Sequence, residues 1–241
     1  MILRTYAIGD IHGQLDLLLR AHERIAADRA RVGDAEAPVI HIGDLVDRGP
    51  DSRGVVELLL KGQLAGQNWV VLKGNHDRMF SYYLQGRRDP VLRADLEYRN
   101  PRIGGTETLH SYGLTQGASP AEASAAVPAG HRAFLSGLPH YHLRGEVLFV
   151  HAGIRPGVAL DEQTEDDLCW IRDPFLHFTG RHPWLVVHGH THRPAAEHRG
   201  NRVNIDSSAA YGGPLTAVVF EGREVFELTE NGRKPLHPLA D

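Results

Sequence analysis

Five short segments of this chain each place a metal-type ligand beside a glycine at the end of an apolar run. They are Gly9-Asp10-Ile11-His12-Gly13, Gly43-Asp44-Leu45-Val46-Asp47-Arg48-Gly49, Gly74-Asn75-His76-Asp77, His151-Ala152-Gly153 and Gly189-His190-Thr191. One such segment would constrain little. Several of them, scattered from residue 9 to residue 191, require a fold that gathers distant strand ends at one place. Open α/β sheets do this, because ligands bind beyond the carboxyl ends of their strands. The donors are all nitrogen and oxygen, which suits Mn, Fe or Zn better than soft metals. The pattern points to a two-metal hydrolase of phosphate esters.

Periodicity supplies the elements between the segments. Strands are predicted over 3–8, 38–42, 69–72, 146–150, 184–187, 202–205, 215–220 and 224–228, and helices over 16–27 and 52–64. Alternation of this kind argues for an α/β layered core. Every ligand segment follows a predicted strand. Residues 85–143 are richer in arginine, alanine, glycine and proline, and Ser119-Pro120-Ala121-Glu122 reads as a capping box with proline at the first helical position. This section is expected to be a helical and loop insertion over the site, within a single domain of residues 1–241. The tail from about 233 holds little core material and is expected to be loose.

Composition narrows the setting. Net charge is −4, which argues against a nucleic-acid footprint. No apolar run approaches the roughly 20 residues of a spanning helix, and no targeting segment is read, so a cytoplasmic setting without membrane contact is expected. The single cysteine, Cys169, excludes an internal disulfide and fits a reducing compartment. It lacks the arginine six residues on that a cysteine-based phosphatase loop would need; Phe175 stands there.

Asp10 and His12 sit two apart, and in extended backbone they face one side and can hold one ion. Asp44 has two carboxylate oxygens and can bridge ions roughly 3.5–4 Å apart; an Asx turn beside Gly43 is the plainer alternative. Asn75, His151 and His190 would be neutral ligands. Two divalent ions with Asp10 and Asp44 leave a positive site that attracts a phosphate dianion. His76 is the natural general acid, with Asp47 fixing its tautomer and raising its pKa. His76 as a further ligand, and Asp47 as a partner of Arg48, are the alternatives. Arg48 and Arg172 are phosphate clamps by their bidentate geometry, although spacing alone leaves Arg172 open to being a free surface arginine. His188 and His192 are expected in supporting or surface roles.

With these residues in view, the five blocks resemble the signature of the phosphoprotein phosphatase family of calcineurin-like metallophosphoesterases. The bacterial and phage-lambda-type serine/threonine protein phosphatases are the nearest in pattern. Gly104-Gly105-Thr106, Ser111-Tyr112-Gly113 and Ala133-Phe134-Leu135-Ser136-Gly137-Leu138-Pro139 resemble segments of the bacterial members. The resemblance implies a four-layer α/β/β/α sandwich with two divalent ions, manganese first and Fe or Zn as alternatives. Asp10, His12 and Asp44 would hold the first ion, and Asp44, Asn75, His151 and His190 the second. His76 with Asp47 would be the acid pair, and Arg48 and Arg172 would bind phosphate.

Two blocks depart from the family pattern. Asp77 stands where glutamate is usual, and Asp206-Ser207-Ser208-Ala209 where Asp-Thr-Gly-Ala is usual. The leading expectation is hydrolysis of phosphoserine or phosphothreonine monoesters by a metal-bridging hydroxide, on a phosphorylated protein or a small phosphate ester. The alternative is a dinucleoside polyphosphate hydrolase, whose symmetric members share an aspartate at the Asp77 position but usually lack the Asp47-Arg48 pair. A non-catalytic phosphate-binding module is a third reading.

Overall fold

In the first strand Tyr6, Ala7 and Ile8 are all fully buried, so neighbouring residues that point to opposite faces both meet protein. That is the signature of a sheet covered on both sides. In the computed structural model, which describes residues 3–239, β1 (Arg4–Ile8), β2 (Val39–His41) and β3 (Trp69–Val71) pair in parallel. β9 (Ala217–Glu221), β10 (Glu224–Thr229) and β11 (Gly232–Pro235) extend this sheet antiparallel, in the order β11-β10-β9-β1-β2-β3. A second sheet has the order β4-β5-β6-β8-β7. There β5 (Val147–Val150), β6 (Leu185–His188) and β8 (Arg202–Asn204) are parallel, and β4 (Tyr141–Arg144) and β7 (Glu197–His198) are antiparallel edges.

Three apolar clusters define the layers. Ala7, Ile40, Val147, Phe149, Val187 and Phe220 pack between the sheets. Tyr6, Ile8 and Val39 face α1 (Leu15–Val32), α2 (Ser52–Leu64) and α3 (Asn75–Leu84). Leu148, Val150 and Val186 face Leu168 of α7 (Glu165–Trp170) and Phe175. The order is helix, sheet, sheet, helix: the expected four-layer α/β/β/α sandwich.

Differences from the sequence reading have local causes. Residues 85–143 carry α4 (Gly105–Ser111), α5 (Pro120–Ala126) and α6 (Ala129–Gly137), and Tyr98, Leu109, Tyr112 and Leu135 join the same core as α1 to α3. Their irregular spacing hid this contribution, because short helices do not show a sustained period. The stretch also ends inside β4. The tail expected to be loose instead adds β11, where Arg233 donates to Asp28 (2.8 Å) and to Glu221 (2.7 Å); its last two residues lie outside the described range. No described helix is long and apolar enough to cross a membrane.

Candidate metal centre

All six parallel strands end at one edge of the sandwich, and a polar side chain follows each. Asp10 and His12 follow β1, Asp44 follows β2, Asn75 follows β3, His151 follows β5, His190 follows β6 and Asp206 follows β8. The loops are laced together: Ile11 and His12 donate backbone N–H groups to the Asp44 carbonyl (3.1 and 2.7 Å), and Gly189 donates to that of His151 (2.8 Å). The glycines have a steric reason. A Cβ on Gly189 would strike the Asp10 carboxylate, and one on Gly74 would strike the backbone and carboxylate of Asp44. Backbone must pass close to a ligand there, and only glycine allows it.

Backbone conformation marks the same place. The described non-glycine residues with positive φ are His12, Asp44, Asp47, Arg48, His190 and Ser208, with φ from 46° to 72°. Such residues cost free energy, and they cluster where surrounding structure holds functional groups in position. Ser208 takes this conformation where the family pattern has glycine. Its backbone N–H donates to Asp206 (3.1 Å) and its hydroxyl to the Arg193 carbonyl (2.8 Å), so the departure keeps the turn.

Asp44 lies between two donor groups. One oxygen is 3.4 Å from His12 Nε2 and the other 3.3 Å from His151 Nε2. Two sets of atoms, from His12, Asp44 and His76 and from Asp44, His151 and His190, each lie within 4.8 Å of one another and share Asp44. Asn75 Oδ1 sits 3.0 Å from His151 Nε2 and 2.8 Å from His190 Nδ1. His12 Nδ1 and His151 Nδ1 face the carbonyls of Val46 (2.9 Å) and Ile42 (3.0 Å). That fixes the tautomer and turns each Nε2 into the cluster. Asp10 accepts from the His190 backbone with one oxygen (3.0 Å), while its other oxygen and His190 Nε2 are buried without a partner.

The electrostatics are those of a cation site. Burial pushes the Asp44 carboxyl up to about 8, against hydrogen bonding from His76 N–H and the pull of Arg48, with Asp206 and Asp47 pushing it further. Burial, then Asp206 and Asp44, raises Asp10 well above the carboxylate range. Burial drives His12 and His190 well below the imidazole value and His151 down to about 4. Neutral histidines are ready ligands, and crowded carboxylates need positive charge; Arg48 is the one cation that offsets all of Asp10, Asp44 and Asp206 among the described residues. A divalent cation reverses this balance. The unpartnered atoms, the shared carboxylate and the N/O donor set all fit divalent ions.

The other predicted residues lie on the same edge. His76 Nδ1 is 2.8 Å from Asp47 Oδ2, and the rings of His76 and His12 meet edge to face at 4.7 Å. Asp47 is fully buried; Tyr98 donates to it at 2.6 Å and Thr108 at 2.7 Å, so residues from 85–143 reach the pair. The expected upward pull on His76 is reversed, since burial first, then Arg48 and His151, lower its pKa. Arg48 Nη1 contacts His12 Nε2 at 2.7 Å, and its guanidinium lies over the Tyr211 ring at 5.2 Å. Arg172 is exposed just after α7; it makes no ion pair among the described residues, yet its charge helps to depress His151 and His190. Asp77 spans two loops by accepting from Leu45 N–H (2.9 Å) and Gly74 N–H (2.8 Å). His188 is buried against Phe175, and exposed His192 lies beside Tyr211.

Sequence reasoning missed Asp206, Tyr98 and Tyr211. Asp206 had a usable signal, an aspartate just past a predicted strand. It lacked a glycine within two residues, the feature that marked the others.

A buried N/O cluster at the strand ends of an α/β/β/α sandwich defines a metal-dependent phosphoesterase. Residues 3–220 match the calcineurin-like phosphoesterase family, and the chain belongs to it. It is 28% identical over 253 residues to the asymmetrical bis(5'-nucleosyl)-tetraphosphatase PrpE of Halalkalibacterium halodurans, covering 95% of this chain and 94% of the relative. Serine/threonine-protein phosphatase 1 of Salmonella typhimurium is 32% identical over 76 residues, 31% of this chain and 30% of the relative. The fold is shared with a crystal structure of a candidate diadenosine tetraphosphatase, with a TM-score of 0.67, 24% identity and coverage of 98% of this chain and 95% of that one. The expectation of a serine/threonine protein phosphatase is thereby corrected. Sequence likeness to serine/threonine-protein phosphatase 1 covers about a third of the chain, whereas sequence likeness to the tetraphosphatases runs nearly its full length. The blocks that suggested a protein phosphatase carry the metal chemistry common to both.

Proposed function

We propose that the chain hydrolyses dinucleoside polyphosphates, cleaving a phosphoanhydride off centre to give unequal nucleotides. The near full-length likeness to asymmetrical bis(5'-nucleosyl)-tetraphosphatases carries this reading. Local geometry supports it. Tyr211 is 59% exposed at the site mouth, with Arg48 on its ring and His192 at 5.1 Å, an aromatic face suited to a nucleobase.

Asp10, His12 and Asp44 would hold one ion and Asp44, Asn75, His151 and His190 another, with Asp206 adding negative charge beside them. Such ions, manganese foremost, supply Lewis acidity and an acidified water. Arg48 and Arg172 grip phosphate oxygens. His76, its Nδ1–H held by Asp47, would have to take up a proton at Nε2 before it can pass one to the departing oxygen; burial, Arg48 and His151 oppose that cation, and the negative charge of an arriving polyphosphate favours it. That oxygen belongs to a nucleotide phosphate with a second pKa near 6, so it needs the proton far less than an alkoxide does. We place the reaction in the cytoplasm, in keeping with the lone, buried Cys169.

Parallel assays on diadenosine tetraphosphate, a phosphopeptide and an aryl phosphate test the reading, with nucleotide products separated. The expected outcome is the highest kcat/KM on the dinucleotide, with mono- and triphosphate products. Faster turnover of the phosphopeptide, or equal diphosphate products, would overturn it.

A further inference from the structure

The opposite end of the sandwich, where the parallel strands begin, holds a cavity of about 1040 Å³. It is formed by residues 176–182 ahead of β6, residues 199–202 ahead of β8, and Arg223 in the β9–β10 turn. At roughly 3.3 Å per strand residue, it lies on the order of 15 Å from His190 and shares no residue with the metal centre.

Its lining includes Arg181, Arg199, Arg202, Arg223, His177 and His182, and no carboxylate. Arg199 pairs with Glu197 (3.0 Å), and exposed His177 pairs with Asp173 (2.6 Å). Arg181 and Arg223 are exposed and make no ion pair or side-chain hydrogen bond among the described residues. Arg202 is half-buried and has no acidic partner: its guanidinium donates to the Leu176 carbonyl (2.5 Å) and to Asn201 Oδ1 (3.1 Å), and stacks over Phe175 at 5.8 Å. Burial, then Arg199, lowers its pKa, with only Glu197 opposing. The wall is built rather than loose, since Asn201 Nδ2 donates to the carbonyls of Phe178 and Gly180, both at 2.8 Å. Phe178 and His182 lie 4.8 Å apart on the same loop.

A chain with net charge −4 has thus gathered four arginines in one concave place, three of them, Arg181, Arg202 and Arg223, without an acidic partner among the described residues. Low-dielectric walls focus such a field. Scattered surface arginines, common in a chain with 23 of them, would leave carboxylates interspersed. We propose that this cavity is a second anion site, which takes a run of phosphates on a small molecule, either inorganic tripolyphosphate or the tail of a nucleoside triphosphate. The forked donors of Arg181 and Arg223 would meet phosphate oxygens from either side, over Arg202. The cavity size suits a nucleotide rather than a longer polymer.

Calorimetric titration of the full chain after chelation, which removes the ions' share of phosphate binding at the metal centre and leaves Arg48 and Arg172 the same in every variant, tests the site with tripolyphosphate, ATP and a short single-stranded oligonucleotide. Tripolyphosphate is expected to bind wild-type protein, weakening as salt rises. Arg181→Glu with Arg223→Glu, at exposed positions, is expected to weaken binding by roughly tenfold or more, while hydrolysis by the metal-loaded double variant stays at the wild-type rate. Tighter binding of ATP, lost in Phe178→Ala, would assign the nucleotide source; equal binding of ATP and tripolyphosphate would assign the phosphate run alone. No binding to wild type, unchanged binding in the double variant, or an oligonucleotide bound tighter than either small molecule would overturn the proposal.

Discussion

Asp28 and Asp44 are both buried aspartates, 5% and 2% exposed, and their surroundings treat them in opposite ways. Burial alone would raise both. Around Asp28, hydrogen bonds from Arg233, Arg31 and Tyr6 prevail and hold its carboxyl down to about 2. Around Asp44 the nearest charges include Asp206 and Asp47, and its carboxyl rises to about 8. One cluster is neutralised within the chain and joins α1 to β11. The other is left acidic, held by strained backbone and supplied with unpartnered donors. Charge that the chain neutralises itself serves stability; charge that it leaves open is reserved for a ligand.

The largest expected effect is on activity. Chelation should reduce hydrolysis of diadenosine tetraphosphate to background, and added Mn²⁺ should restore it. Asp44→Asn should be more damaging than Asp10→Asn, because Asp44 serves both donor groups. Equal rates for the two variants at saturating metal would break the contrast drawn for Asp44.

His76→Asn separates leaving groups. General acid catalysis is worth about 10²–10⁴-fold, and that loss is expected on an alkyl phosphate monoester. On diadenosine tetraphosphate the loss should be much smaller. Equal losses would make His76 a metal or phosphate ligand, which retained metal content would then resolve.

Stability should divide the two aspartates in the other direction. Asp28→Ala takes an acceptor from Arg233, Arg31 and Tyr6 while Arg233 keeps Glu221, and should cost about 2 kcal/mol, a fall in Tm of roughly 4–8 °C for a chain of this size. In chelated protein Asp44→Asn should leave Tm unchanged or raise it, since it removes an acid the fold strains to hold. A large fall for Asp44→Asn without metal would show that the acidic cluster is structural.

The pH dependence carries the same signature. Asp28 is depressed when folded, so its contribution is present above about pH 4, the unfolded value, and is lost as pH falls toward about 2. Asp44 is raised when folded, so in chelated protein its contribution is present below about pH 4 and lost as pH rises through about 8. Thermal melts across pH, comparing each wild-type curve with that of its Asn variant, would read both slopes. The smallest effect concerns Tyr211→Ala, which should raise KM for the dinucleotide several-fold, as one lost stacking contact of roughly 1 kcal/mol implies, and leave kcat on a small aryl phosphate unchanged.

Much of this centre was legible before any fold was known. Strands of three to five residues such as β1 and β2 are near-continuous apolar runs, and a polar group followed by or following glycine is a local signal. The contact between Asp47 and His76 was legible because both lie inside the ligand blocks. What stayed hidden depends on distant packing. Tyr98 and Thr108 reach Asp47 from 51 and 61 residues away, which no spacing encodes. The strand β11 forms because Arg233 finds Asp28 and Glu221 across the sheet edge. The protein-phosphatase expectation failed for a related reason: the motifs speak to metal chemistry, whereas in the function proposed above specificity rests on surface features such as Tyr211.

The most direct test of the central claim is metal stoichiometry by mass spectrometry on purified, Mn²⁺-loaded protein, wild type beside Asp44→Asn and Asp28→Asn. The account predicts two ions per chain in wild type and in Asp28→Asn, and a loss of both tightly bound ions in Asp44→Asn. One ion or none in wild type, or two retained by Asp44→Asn at wild-type affinity, would contradict it.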